Sequence, residues 1–105
     1  MNQGTQDVGV SISAAGTTQA TATLLINGIN MISTAASGSG VVLFNYIPGG
    51  LQIVWNGGAN PVKVYPPSGS RINALTADSA MTLAANTACA FWTITSTQMI
   101  GLLSA

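Results

Sequence analysis

Residues 51–65 read LQIVWNGGANPVKVY, two apolar segments separated by a glycine-rich turn. In the first segment, large apolar residues occupy every second position (Leu51, Ile53 and Trp55), which is the two-residue period of a β-strand. Pro61 stands at the start of the second segment, where a strand tolerates its missing N–H. The stretch therefore predicts two short strands joined by a turn.

The same pattern continues on both sides, and no segment keeps the apolar spacing of an amphipathic helix for more than about two turns. Turn signals recur at intervals of about ten residues, which is typical of a sandwich, jelly roll or small barrel. We therefore predict an all-β chain, a single-domain β-sandwich or jelly roll of about eight to ten short antiparallel strands. The predicted strands cover residues 8–13, 20–26, 29–33, 41–46, 51–56, 62–65, 81–83, 88–95 and 98–103, with an edge piece at 71–73.

A chain of 105 residues has the length of one domain. We assign residues 1–7 to a polar N-terminal arm and residues 8–105 to a single β-sandwich domain. Within it, Asn27-Gly28 is the strongest two-residue signal for a β-hairpin, because a type I′ turn requires positive φ at both positions. Ser96-Thr97 is a second tight connection, between the last two predicted strands.

Charge is nearly absent from this chain. Only Asp7, Lys63, Arg71 and Asp78 are charged, the formal net charge is zero, and 48% of the residues are hydrophobic. Soluble small domains usually carry about a quarter charged residues, which keep copies apart. This composition predicts a structural protein that is covered by other protein. Two basic residues are too few to neutralise the phosphates of a nucleic acid, so we expect no nucleic-acid partner.

The sequence also lacks the side chains from which most catalytic and metal sites are built. It contains no His, one Cys and two acidic residues, so a nucleophile has no imidazole base and a metal has few ligands. We predict no enzymatic activity, no cofactor and no metal. Cys89, in the apolar sequence ACAFW, is expected to be a buried, inert thiol, and Asp78 a turn residue that binds the backbone two residues on.

No targeting or membrane-spanning segment is predicted. The first 19 residues contain no basic residue and begin no apolar run, unlike a secretory signal. Apolar blocks of about four residues are far shorter than the roughly 20 of a membrane-spanning helix. We therefore expect synthesis in the cytoplasm without export, and no membrane partner.

Eight residues are candidates for contact with a partner. Four are polar residues of the arm, two are the basic residues of the chain and two are aromatic: Asn2, Gln3, Gln6, Asp7, Lys63, Arg71, Tyr65 and Trp92. Lys63 and Arg71 lie on either side of the PPSG turn. There they either pair with a partner's carboxylate or form a solvated strand edge that discourages aggregation.

The aromatic residues divide between core and surface. Phe91 and Trp92 are adjacent and must point to opposite faces of their strand. We expect Phe91 and Trp55 in the core and Trp92 at the surface as an interface anchor. In the alternative interpretation, Tyr46, Tyr65 and Trp92 form a platform on which sugar rings stack.

The sequence GLQIVWNGGANPVKVYPPSGSRIN at 50–73, followed by LTAD and by the strand AANTACAFW, resembles a pattern found in virion proteins of tailed bacteriophages. There, a strand ending in Asn-x-Gly precedes a strand of the form Pro-hydrophobic-x-Val-Tyr-Pro, a glycine turn and an Ile-Asn pair. An apolar strand with an aromatic residue comes next. The resemblance covers about half of the chain, residues 50–95.

The resemblance implies a β-domain of the virion, and the small, free-standing proteins of this kind are capsid decoration, or cement, proteins. They form homodimers or homotrimers on the outside of the icosahedral phage head and clamp neighbouring major capsid subunits. They offer no catalytic residues to carry over. The resemblance thus implies a non-enzymatic protein on the outer surface of the head, with the major capsid protein and further copies of itself as partners. The alternatives are a receptor- or carbohydrate-binding tip of a tail or head fibre, and a minor neck or head component.

Overall fold

The computed structural model describes residues 8–104, and in this range the prediction of an all-β chain is confirmed, with ten strands and no helix. Four strands have the predicted bounds. The strands are Val8–Ala14 (β1), Thr23–Leu24 (β2), Ile29–Ala35 (β3), Gly40–Val42 (β4), Leu51–Asn56 (β5), Val62–Tyr65 (β6), Arg71–Ile72 (β7), Met81–Leu83 (β8), Thr87–Thr95 (β9) and Gln98–Leu103 (β10).

The chain passes alternately between two sheets. One sheet has six strands in the order β1-β3-β5-β9-β10-β7, and the other has four in the order β2-β4-β6-β8. Strands β1, β3 and β5 stack in parallel in the first sheet, as β2, β4 and β6 do in the second. Each coil therefore lies on the preceding one, and this winding is that of a β-solenoid.

The prediction of antiparallel strands is wrong for most of these pairs. Within residues 8–104, five of the eight ladders are parallel, and antiparallel pairing is confined to β5–β9, β9–β10 and β6–β8. Neighbouring strands of a jelly roll are antiparallel, so the winding differs from that prediction. The two-residue period marks a strand but is the same in both kinds of ladder, so it does not identify the partner.

The turn at Asn27-Gly28 is a corner between sheets and not a hairpin. Strand β2 before it belongs to the four-stranded sheet and β3 after it to the six-stranded sheet. Neither residue has the positive φ that a type I′ turn requires. The connection at Ser96-Thr97, in contrast, does join the antiparallel hairpin β9–β10.

One core fills the space between the two sheets. Its fully buried side chains come from both sheets and include Ile32, Val54, Phe91 and Met99 on one side and Val41, Val62, Val64 and Leu83 on the other. The burial predicted for Phe91 and Cys89 is therefore confirmed. The prediction that Trp55 lies in the core is wrong, because its side chain is 42% exposed. Its strand turns the opposite face inward.

Candidate assembly surface

The outward side of the six-stranded sheet is apolar from one strand to the next. A central row of register partners crosses five strands and consists of Val8, Ile29, Ile53, Ala90 and Leu102. At the two ends of the row, Val8 is 54% and Leu102 is 67% exposed. This row lies on the side of the sheet that faces away from the core.

Two further rows of register partners flank the central row. On one side Met31 pairs with Trp55, which in turn pairs with Ala88. On the other side Trp92 pairs with both Leu51 and Ile100. We name these three rows together the outer apolar face: Val8, Ile29, Met31, Leu51, Ile53, Trp55, Ala88, Ala90, Trp92, Ile100 and Leu102.

The outer apolar face is not flat. Small side chains at Ala88 and Ala90 leave an open depression of about 260 Å³, which is walled by Ile53 and Leu102. Trp55 stands beside it in the neighbouring row and is 42% exposed. A hollow beside a large protruding ring is the relief that interdigitating protein surfaces use.

The inward side of β5 carries amides where a core strand normally carries apolar groups. Gln52 and Asn56 are both fully buried. The Gln52 side chain forms two hydrogen bonds with the backbone of one residue, since Nε2 donates to the carbonyl oxygen of Phe44 and Oε1 accepts from the Phe44 N–H, both at 2.9 Å. The Gln52 side chain thus makes the two hydrogen bonds that a neighbouring strand would otherwise make with Phe44. This pairing explains why the predicted strand 41–46 ends at Val42.

Asn56 is satisfied in the same way at the other end of β5. Its Nδ2 donates to the carbonyl oxygens of Asn60 at 2.9 Å and Leu83 at 3.0 Å, and its Oδ1 accepts from the N–H of Gly58 at 3.0 Å. Buried amides are tolerated only when they are hydrogen-bonded. A slip of β5 by one residue would break both sets of bonds, so these amides fix which side of the strand faces outward.

A third buried amide lies one strand away. Asn30 of β3 is fully buried, and its Nδ2 donates to the carbonyl oxygens of Asn27 at 2.8 Å and Ile53 at 3.2 Å. Its Oδ1 has no hydrogen-bond partner among the described residues. The bond to Asn27 secures the corner that leads into β3, so amides hold both neighbouring strands in the same orientation.

The described charged side chains lie outside the outer apolar face. Lys63 is exposed on β6 of the four-stranded sheet, and Arg71 is exposed on the edge strand β7 of the other sheet. Neither forms an ion pair with a residue in the range 8–104. Arg71 is the register partner of Gln98 and therefore stands at the rim of the outer apolar face. The two basic residues are in different sheets, so the structure does not bring them together.

Asp78 stands in a turn, as predicted, since the N–H of Ser79 donates to the carbonyl oxygen of Thr76 at 3.2 Å, but its side chain does not bind the backbone two residues on. Its Oδ1 accepts from the N–H of Gly69 at 2.6 Å and from Nε2 of Gln19 at 3.0 Å. These hydrogen bonds, the one from Gly69 foremost, hold the pKa of the Asp78 carboxyl below its ordinary value. Its partner lies nine residues earlier in the chain and not two residues on.

The other candidate contact residues divide between surface and interior. Trp92 lies in the outer apolar face, as expected of an interface anchor. Tyr65 is only 8% exposed and donates its hydroxyl to the carbonyl oxygen of Thr17 at 3.0 Å, so its ring offers little area to a partner. The four arm residues Asn2, Gln3, Gln6 and Asp7 lie outside the described residues.

Most of the outer apolar face was missed by reasoning from the sequence, which identified Trp92 alone. Trp55, which shares its side of the strand with Leu51 and Ile53, was predicted to lie in the core because large apolar residues usually point inward. The sequence did contain the opposite signal, since Gln52 and Asn56 share the alternate positions with Val54. Which of the two sides is buried depends on whether the amides find partners, and those partners lie up to 27 residues away.

Cys89 lies beneath the outer apolar face. It is a free, buried thiol, and burial raises its pKa to about 11 despite a hydrogen bond from the backbone of Leu102. The described residues contain no group of three or more His, Cys, Asp or Glu side chains placed to hold a metal ion. Residues 8–104 also include no helix long and apolar enough to cross a membrane.

No protein-family model matches this chain, and the comparisons with curated proteins and with solved structures also give no match.

Proposed function

We propose that this protein is a non-enzymatic structural protein of a tailed-bacteriophage virion. In this role it is a capsid decoration, or cement, protein that binds the outside of the icosahedral head and clamps neighbouring major capsid subunits. The outer apolar face is the observation that carries the proposal. The resemblance of residues 50–95 to phage virion proteins supplies the biological setting.

The physical support comes from what the molecule exposes. A monomeric soluble protein rarely exposes a contiguous apolar patch larger than a few hundred Å² unless that patch is an interaction site. Here the patch extends over five of the six strands on one side of a sheet, and the buried amides of β5 keep it turned outward. With four charged residues in the chain, the remaining surface relies on uncharged polar groups. The free energy of removing such a surface from water is smaller than that of removing a charged surface.

A cement protein acts by binding and not by turnover. Anything that binds only the assembled shell stabilises that shell by mass action. When several contacts to adjacent subunits are made at once, each further contact is intramolecular and weak affinities combine. A hydrogen-bonded six-stranded sheet is suited to this role because a surface that is already ordered loses little conformational entropy on binding.

The proposal is tested by co-sedimentation of the purified protein with capsids that lack it. We expect saturation at a fixed copy number set by the shell symmetry, together with shells that survive higher temperature. Bovine serum albumin at the same concentration controls for trapped protein. Absence of binding, or a few copies at one vertex, would contradict the decoration role and point to the neck or tail.

One feature favours the fibre-tip alternative. The ring centroids of Phe44 and Tyr46 lie 4.8 Å apart, with the two rings tilted by 56° to each other, in an irregular segment outside the sheets, and Phe44 is 37% exposed. Exposed aromatic pairs can bind the apolar face of a sugar ring. Binding to a glycan array that is lost in a Phe44→Ala variant would favour a receptor-binding tip over decoration.

A further inference from the structure

We infer that a second copy of this chain packs on the outer apolar face. The inference deepens the proposed structural role and rests on it only in treating this face as an interface. It names the occupant of the face and assigns contacts with the shell to the remaining surface. Three properties of the face lead to this choice of occupant, namely its size, its lack of charge and its permanent exposure in a lone chain.

The side of the sheet that carries the face is close in size to a stable dimer interface. Its five strands each have at least six residues. Five strands spaced about 4.8 Å apart span about 24 Å, and six residues along each strand span about 20 Å. The flat area is therefore roughly 480 Å² per copy, or about 960 Å² for two copies. Specific interfaces bury upwards of about 1,000 Å² in total, so the relief of the side chains brings this side of the sheet to that size.

The face is also free of charge. All eleven of its residues are apolar, and the nearest described charge, Arg71, stands at the rim. Contacts with a different protein are usually steered by complementary charges. Two copies of an uncharged face instead meet without repulsion, and the core of a homodimer interface is the most apolar kind of protein surface.

The permanent exposure of the face in a lone chain points the same way. A chain with such a face must stay dispersed between its synthesis and its encounter with any other partner. A chain with zero net charge and a bare apolar sheet would aggregate during that interval. A second copy is the one partner that is present from synthesis onward, so it can cover the face before any shell is available.

The face carries both a large exposed ring and a hollow. In a two-fold interface each copy contributes both the projection and the hollow. The Trp55 ring is the projection, and the depression over Ala88 and Ala90 is the hollow. With this face covered, the four-stranded sheet and the loops, where Lys63 and Asp78 lie, remain free to contact the shell.

The inference is tested by measuring the molar mass in solution at micromolar concentration. Ile53→Asp places a charge at the centre of the face, and Ile100→Asp places one in a flanking row where the side chain is already 44% exposed. Ile26→Asp is the matched control, because the same substitution then falls on a 66% exposed residue outside both sheets. Far-UV circular dichroism establishes that each variant is folded.

We expect the unmodified protein and Ile26→Asp to have a mass of at least two chains, and the folded Asp variants of the face to fall to one chain of 10.5 kDa. If Ile53→Asp does not fold, Ile100→Asp alone decides. A monomeric unmodified protein would overturn the inference, as would an oligomer whose mass neither substitution in the face changes.

Shell binding measured on the same samples separates this inference from the proposed function. An oligomer that dissociates in the Asp variants but binds no shell contradicts only the proposed decoration role. A monomer that binds shells, and loses binding in Ile53→Asp, contradicts only the choice of occupant. In that case the shell protein covers the face.

Discussion

Trp55 and Asn56 are neighbours on β5, yet the amide of Asn56 is fully buried while the indole of Trp55 is 42% exposed. This order is the reverse of what transfer from water alone would give. It arises because Asn56 binds three backbone groups of the corner and of the opposite sheet. The hydrogen-bonding needs of the solenoid thus determine which side of the strand is inward, and the apolar side is left for a partner.

Replacement of Gln52 tests the buried amides. Gln52→Ala removes the hydrogen-bond partner of both the N–H and the carbonyl oxygen of Phe44, and each backbone group left unsatisfied costs about 1–3 kcal/mol. We expect the free energy of unfolding in urea to fall by about 2–4 kcal/mol. The matched control is Gln98→Ala, a half-buried glutamine that binds the carbonyl oxygens of Asn73 and Met99. We expect it to cost about 1 kcal/mol, since water can replace its bonds. Equal losses in both variants would show that the Gln52 bonds have no special role.

The two sides of the six-stranded sheet should respond differently to truncation of an aromatic side chain. Phe91 is fully buried in the core, so Phe91→Ala should destabilise each copy by about 3–5 kcal/mol. Trp55→Ala removes a ring that the single copy leaves half exposed, and should instead weaken association. Urea unfolding at several protein concentrations distinguishes the two effects, because only the association term depends on concentration. If Trp55→Ala instead lowers the free energy of unfolding by the same amount at every protein concentration, the Trp55 ring stabilises the single copy and not the association.

The thiol of Cys89 makes stability decline in alkaline solution. Burial raises its pKa from an ordinary 9.0 to about 11, so between these values the folded state keeps a proton that the unfolded state has lost. Stability falls with rising pH wherever the folded state binds more protons. We expect the melting temperature to drop between about pH 9 and pH 11 more steeply than in Cys89→Ala. All other side chains are common to the two proteins, so their contributions cancel in the comparison. Parallel curves would contradict the raised pKa.

The carboxylate of Asp78 makes stability decline in acidic solution. Its pKa is lowered from 3.8 by hydrogen bonds from Gly69 and Gln19, so it stabilises the fold above pH 3.8, and this contribution disappears as the pH falls through the lower, folded-state value. Asp78→Asn removes the charge and tolerates the left-handed backbone at this position, where φ is 66°. We expect the variant to be less stable at neutral pH and to lose less stability on acidification. Asp7, the one other acidic side chain of the chain, is present in both proteins, so the difference between them is due to Asp78.

Strands could be predicted from this sequence to a large extent, but their partners could not. The segments 51–56, 62–65, 81–83 and 98–103 match the observed strands because alternation and turn residues are local signals. The partner of a strand is a long-range property, so Asn27-Gly28 was interpreted as a hairpin although it turns a corner between sheets. Residues 43–46 were predicted to continue a strand, but within them the backbone of Phe44 is bound by the side chain of Gln52 and not by a neighbouring strand.

The sequence indicated that the chain has a surface for other protein, but it did not indicate which strands form that surface. Low charge and high hydrophobicity indicated a covered protein, and Trp92 was correctly expected to point away from Phe91. The orientation of β5 could not be derived, because its apolar and amide residues alternate with the same period. Only the contacts of Gln52 and Asn56 with distant backbone groups decide it.

The most direct test of the covered outer apolar face is hydroxyl-radical footprinting of Trp55 in the purified, shell-free protein. The fold of one copy leaves this indole 42% exposed, whereas Met99 of the core is 1% exposed and serves as the slow reference. We predict that Trp55 is protected from oxidation in the unmodified protein and in Ile26→Asp, and becomes reactive in Ile53→Asp. Trp55 that reacts in the unmodified protein as fast as it does in Ile53→Asp would contradict a face covered by a second copy.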